Sequence, residues 1–129
     1  MTSSSSSKSI LAIDDEYDIV NLIQESLQRH KFKVCTFTEP PAALEHFISH
    51  SKDYGIVICD IRMPGMNGYE FVKQVKKSNP QVKVILMSAF EINAKEFHNL
   101  LPDVEVDAFL QKPFSIGQLN DVTQKITSD

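Results

Sequence analysis

Five short apolar runs, several of them lacking any polar alternation, recur along the chain at Ile10–Ile13, Lys33–Phe37, Ile56–Cys59, Val82–Met87 and Ala108–Leu110. A strand that is apolar on both sides must be covered on both sides, which is the habit of parallel sheets flanked by helices. Helical spacing fills the intervals. Ile19, Val20, Ile23 and Leu27 form one apolar stripe, Ala43, Leu44, Phe47 and Ile48 a second, and Phe71, Val72 and Val75 a third. Ala94, Phe97 and Leu101 form a weaker fourth among the poor helix formers Asn93, His98 and Asn99, and Ile116, Leu119, Val122 and Ile126 close the series. Pro40-Pro41 opens a helix, Gly68 follows a turn-rich stretch, and Asn79-Pro80 ends the third helix. Five strands alternating with five helices predict a three-layer α/β domain of (βα)5 type.

A chain of 129 residues suits one such domain, with a polar lead-in over residues 1–8 and the folded unit over 9–127. The net charge of -4, without a concentrated Lys/Arg cluster, argues against nucleic acid as a partner. No apolar run spans a bilayer and no signal-peptide core is present, so no membrane is expected and the cytoplasm is the expected compartment. Cys35 and Cys59 each sit in an apolar run and are read as core residues. His30, His46, His50 and His98 lack partners at metal-ligand spacing and are read as surface residues.

In an open parallel sheet the functional crevice lies beyond the carboxyl ends of the strands. The first strand ends at Asp14-Asp15-Glu16, the third at Asp60, the fourth at Ser88, and the fifth runs into Lys112-Pro113. Each residue alone has a plain explanation. Acids favour a helix N-terminus, Asp is common in turns, Ser caps helices, and most lysines are solvated. Their convergence on one edge is harder to explain that way. Carboxylates crowded into one crevice repel, and a hard divalent cation with oxygen ligands relieves the repulsion, Mg²⁺ better than Ca²⁺ where ligands are few.

Four stretches carry a family resemblance: Asp14-Asp15-Glu16, the string from Asp60 through Arg62, Met63 and Pro64 to Gly68, Met87-Ser88-Ala89, and Phe109 to Phe114. From about Ser9 to Ile126 the chain resembles the response-regulator receiver domain of two-component signalling, in its chemotaxis-receiver-like form. The resemblance implies a flavodoxin-like sandwich with a parallel five-stranded sheet of order 2-1-3-4-5. It implies that Asp60 is the phosphoacceptor, served by Lys112 and Ser88. Mg²⁺, with Mn²⁺ able to substitute, would be held by Asp14, Asp15, Asp60 and the backbone carbonyl of Arg62. Ser88 and Phe109 would form the switch, Ile61, Ala89 and Phe90 the rim of the phosphoryl site, and Lys112–Pro113 a cis peptide. The implied partners are a sensor histidine kinase or phosphotransfer protein and a downstream target protein. A monomer or weak dimer through the fourth-helix/fifth-helix face is expected. The chain would catalyse its own phosphorylation and dephosphorylation without being an enzyme on other substrates. No output domain is read in it, so it is either stand-alone or a part of a longer regulator.

Some positions depart from the family pattern. Ser88 stands where threonine is frequent, Phe109 where tyrosine is common, and Tyr17 where proline is often found. The bulky pair Arg62 and Phe90 is expected to hinder water and to lengthen the life of a phosphoryl group. Three rival readings are weaker. A haloacid-dehalogenase-like phosphatase needs a second Asp where Arg62 stands. A flavin or nucleotide binder needs a phosphate loop after the first strand, where anions stand instead. A pseudo-receiver would not need Asp15, Asp60, Ser88 and Lys112 together.

Overall fold

The computed structural model describes residues 9–89, 95, 98, 99 and 104–127. Five strands, β1 (Ser9–Ile13), β2 (Lys33–Phe37), β3 (Tyr54–Asp60), β4 (Lys83–Ser88) and β5 (Ala108–Gln111), form one sheet. The order is β2-β1-β3-β4-β5 and every pairing is parallel, as expected from the sequence. The helices bounded in full are α1 (Tyr17–Gln28), α2 (Pro40–Ser49), α3 (Gly68–Ser78) and α4 (Ile116–Thr127). The predicted lead-in, and Phe90 with the stripe of Ala94, Phe97 and Leu101, lie outside the described residues.

The two-sided apolar runs have the expected cause. Leu11, Ile13, Val57, Cys59, Val84 and Leu86 pack with Ala43 and Phe47 of α2 and Phe71, Val72 and Val75 of α3. Their strand neighbours Ile10, Ala12, Ile56, Ile58, Ile85, Met87 and Leu110 pack on the opposite face with Ile23 and Leu27 of α1 and Leu119 and Ile126 of α4. Removing this surface from water on both faces is the main force holding the three layers together.

Helix starts are chemically specified. Asn67 accepts a hydrogen bond from the Glu70 amide at 2.9 Å to cap α3. Ser115 and Gln118 form a reciprocal capping box at α4, at 3.0 and 2.8 Å. Prolines stand at the start of α2. At the amino edge of the sheet, Lys76 donates to the Val82 carbonyl at 2.6 Å and Lys83 to that of Ile126 at 2.9 Å. The Asp107 carboxylate accepts the Val84 amide at 2.8 Å.

Two expectations need correction. His46 is half-buried, not a surface residue, because its ring lies against Phe37, stacks on His50 with centroids 4.4 Å apart, and meets the Tyr54 hydroxyl at 2.6 Å. Burial, then the Cys35 thiol beside it, raises the pKa of that tyrosine. Cys35 is correspondingly only half-buried, whereas Cys59 is buried, and both are free thiols. His30, His50 and His98 are exposed as expected.

Gly68 seats α3 directly on the end of β3. Its amide donates to the Ile61 carbonyl at 2.6 Å. A Cβ at this position would lie 2.4 Å from the Asp60 carbonyl oxygen and 2.7 Å from the Ile61 Cα, both rigid backbone atoms. Gly68→Ala is therefore expected to destabilise the domain by about 1–3 kcal/mol, an overpacking penalty, read as a lower midpoint in urea unfolding. An unchanged midpoint would mean that α3 can move off the strand.

Candidate functional site

β1, β3, β4 and β5 each deliver a polar residue to the carboxyl edge of the sheet. The registers place Ile13 beside Cys59, Asp60 beside Met87 and Ser88 beside Gln111, so Asp14, Asp60, Ser88 and Lys112 follow one another across the edge. A cleft of about 230 Å³ opens there, lined by Asp15, Glu16, Asp60, Ile61, Arg62, Ser88, Ala89 and Lys112. Asp14 lies beneath the lining, wholly buried against Lys112, with its amide bonded to the Phe37 carbonyl at 3.3 Å.

Lys112 is the hub. Its ammonium lies 2.6 Å from Asp14 Oδ2, 3.3 Å from Asp60 Oδ1 and 3.6 Å from Glu16 Oε1. The lysine side chain is only 13% exposed, so it is not the solvated surface lysine of the plain reading. The Lys112–Pro113 peptide is cis, as expected. Asp14 Oδ1 accepts the Glu16 amide at 2.9 Å, which fixes the turn out of β1. Asp14 Oδ2 has the ion pair with Lys112 but no hydrogen bond of ordinary geometry.

Three carboxylates around one ammonium, with Asp15 close to Asp14 and Asp60, set the electrostatics. Burial pushes the Asp14 carboxyl up to about 6, further raised by Asp60 and partly offset by bonds from Lys112 and the Glu16 amide. Burial also raises Asp60, helped by Asp15 and Glu16 and opposed by Lys112. For Lys112 burial acts in the opposite direction, yet contacts with Asp14 and Asp60 outweigh it and hold the ammonium above its ordinary range. One carboxylate oxygen from each of Asp14, Asp15 and Asp60 lies within 4.8 Å of the others, a spacing that suits a shared divalent cation.

Asp14, Asp15, Asp60, Ser88 and Lys112 are thus gathered, with Ile61, Arg62 and Ala89 on the rim, while Phe90 falls outside the described residues. Phe109 is not in the cleft. It pairs with Leu86, two residues before Ser88, so it shares a sheet face with Ser88 and is half-buried in the α2–α3 layer. The sequence places Glu16 at this edge but assigns it no role in the site. An acid before a helix resembles an ordinary cap, and only the fold shows that its carboxylate is turned toward Lys112.

The raised Asp14 value gives a pH test. A carboxyl that binds its proton more tightly in the folded chain stabilises the fold while protonated. That contribution is complete at low pH and is lost as pH rises from about 4 through about 6. In chelator-treated protein, stability should fall over this window more steeply than in Asp14→Asn, and the variant should be the more stable at neutral pH. Urea midpoints measured across the window check this. Parallel profiles for the two proteins would remove Asp14 as the source.

Comparison with known proteins places the site in context. The family description "Response regulator receiver domain" matches residues 10–124. The response regulator SaeR of Staphylococcus aureus is 32% identical over 110 residues, covering 85% of this chain and 46% of that protein. The chain therefore spans about half the length of such curated relatives. Chemotaxis protein CheY4 of Vibrio cholerae superposes with a TM-score of 0.79 at 25% identity, over 92% of this chain and 98% of that one. The response regulator TrrA of Thermotoga maritima, solved in complex with Mg²⁺-BeF, gives 0.76 at 30% identity with the same coverage. With the family matched over most of its length and the parallel 2-1-3-4-5 sheet in place, this chain belongs to the response regulator receiver domains.

Proposed function

We propose that the chain accepts a phosphoryl group onto Asp60 from a sensor histidine kinase or phosphotransfer protein, in a Mg²⁺-dependent reaction in the cytoplasm. The supporting observation is the convergence of Asp14, Asp15, Asp60, Ser88 and Lys112 on a single cleft. Among the described residues, no helix is long and apolar enough to cross a membrane.

The residues fit a divalent cation, because Asp14 Oδ2 is buried without a well-directed hydrogen bond and sits in a group of three close carboxylates. Asp14, Asp15 and Asp60, with the Arg62 backbone carbonyl, would hold Mg²⁺, and Mn²⁺ has the same oxygen preference. When bound, the cation supplies positive charge that lets a carboxylate approach an anionic phosphoryl group. Asp60 forms the new oxygen–phosphorus bond as the donor's phosphorus–nitrogen bond breaks, the electron pair leaving with the imidazole. Lys112 supplies a second positive charge, held in place by Asp14 before the donor arrives. The Ser88 hydroxyl donates a hydrogen bond to the transferred group. Hydrolysis reverses the modification when water attacks phosphorus and the Asp60 oxygen leaves.

Signalling follows from the placement of Phe109 behind Ser88 on the same face. A Ser88 drawn toward phosphate frees space into which Phe109 turns. Phe109 also lines a second groove with Ala108, Val122, Lys125 and Ile126 between β5 and α4. A change there alters what this face offers to a target protein or a second copy of the chain, a population shift biased by one hydrogen bond. With a formal charge of -4 and no concentrated Lys/Arg cluster in the sequence, nucleic acid is not the proposed partner.

Incubation with acetyl phosphate and Mg²⁺ should add one phosphoryl group by intact mass, and Asp60→Asn or chelator should abolish the gain. Lys112→Ala should slow it by about 100-fold or more, the usual effect of removing a charge-stabilising group. No gain, with beryllofluoride also failing to bind, would point to a pseudo-receiver. With exposed Arg62 lining the cleft, the phosphoryl form is expected to persist for minutes or longer in buffer. Decay within seconds would refute that shielding.

A further inference from the structure

Around Lys112 stand three carboxylates, Asp14 at 2.6 Å, Asp60 at 3.3 Å and Glu16 at 3.6 Å. A phosphoryl group on Asp60 also draws on this ammonium, so it competes with the anions already paired with it. The three differ sharply in how readily water can replace the lysine. Asp14 is 0% exposed and Asp60 8%, whereas Glu16 is 64% exposed at its side chain. Water can take over the Glu16 carboxylate at once, while releasing Asp14 would leave a buried anion unpaired.

The backbone shows why Glu16 is in position. It is the residue preceding α1, and its side chain makes no cap hydrogen bond. Asp14 Oδ1 anchors its amide at 2.9 Å, and the side chain lines the same cleft as Asp60. The carboxylate is thus free of its own helix and reaches the Lys112 ammonium.

We propose that Glu16 is a positioning residue: its carboxylate holds Lys112 in the resting chain, occupies the place of the phosphoryl group, and competes with anionic phosphodonors for the ammonium. The proposal rests on the reading of Asp60 as the phosphoacceptor. The incoming phosphoryl group displaces Glu16 into water. Glu16 thereby makes small anionic donors poorer substrates than they would be in a cleft with a neutral residue at this position.

Glu16→Gln keeps the shape and removes the charge. Beryllofluoride, with Mg²⁺ saturating, serves as the phosphoryl-like probe, and its apparent affinity is read by amide-shift titration or calorimetry. For an exposed pair of this length the gain on removing Glu16 is about two- to fivefold at low salt. It should vanish near 1 M salt, where the screening length is about 3 Å. Glu16→Asp keeps a charge but shortens the arm, so its affinity should lie nearer to that of Glu16→Gln than to wild type. Mg²⁺ affinity without the probe should not rise in either variant, since both remove or retract a nearby anion. Equal or weaker probe binding in Glu16→Gln, or wild-type behaviour in Glu16→Asp, overturns the competition. Failure of wild type itself to bind the probe overturns the phosphoacceptor reading as well.

Discussion

Lys112 reaches its ammonium between the carboxylates of Asp14 and Asp60, at 2.6 and 3.3 Å, and so ties the loop after β5 to the ends of β1 and β3. Each partner would be unfavourable at this depth without the others. A buried carboxylate lacking a cation is strongly disfavoured, and a buried ammonium lacking an anion equally so. The pair energies do not close completely, which is why burial still lifts Asp14 to about 6. That residual is a physical description of readiness. The cleft holds more negative charge than one lysine can balance, and it is therefore poised to take up further positive charge.

The sheet makes this concentration of charge possible. Its parallel strands all end at the same edge, and two apolar layers cover their faces, so polar residues that follow the strands are brought together there. The opposite edge is closed by conventional contacts, with Lys76, Lys83 and Asp107 serving backbone groups around β4. Stability and reactivity are thus separated along the strand direction. Lysines at the amino edge satisfy carbonyls, and the lysine at the carboxyl edge is held by acids.

The layout of the fold could be read in the amino-acid string because it follows from simple periodicities. Runs such as Ile56–Cys59 and Val82–Met87 announce strands covered on both faces, and strand ends then locate Asp14, Asp60, Ser88 and Lys112 on one edge. What escaped that reading depends on side-chain direction, which no periodicity encodes. Glu16 is indistinguishable from a helix-capping acid until its carboxylate is seen beside Lys112. His46 likewise has an ordinary helical position, and only the packing of α2 on β2 and β3 gives it Phe37 and Tyr54 as neighbours. The close seat of Gly68 on Asp60 is a tertiary contact between residues whose separation in the chain says nothing of distance.

That seat has a mechanical consequence. With no room even for a methyl group between Gly68 and the Asp60 carbonyl, the first turn of α3 works as a fulcrum at the reacting strand. A helix of 11 residues is a rod about 16 Å long, so a tilt of about 5° at its base carries the far end through about 1.4 Å. Lys76 and Lys77 ride in the last turn, and the Lys76 ammonium grips the Val82 carbonyl just ahead of β4 and approaches Asp107 to 4.0 Å just ahead of β5. A displacement of the Asp60 backbone too small to disturb the sheet would thereby reach the opposite edge enlarged to a size comparable to the tolerance of a hydrogen bond.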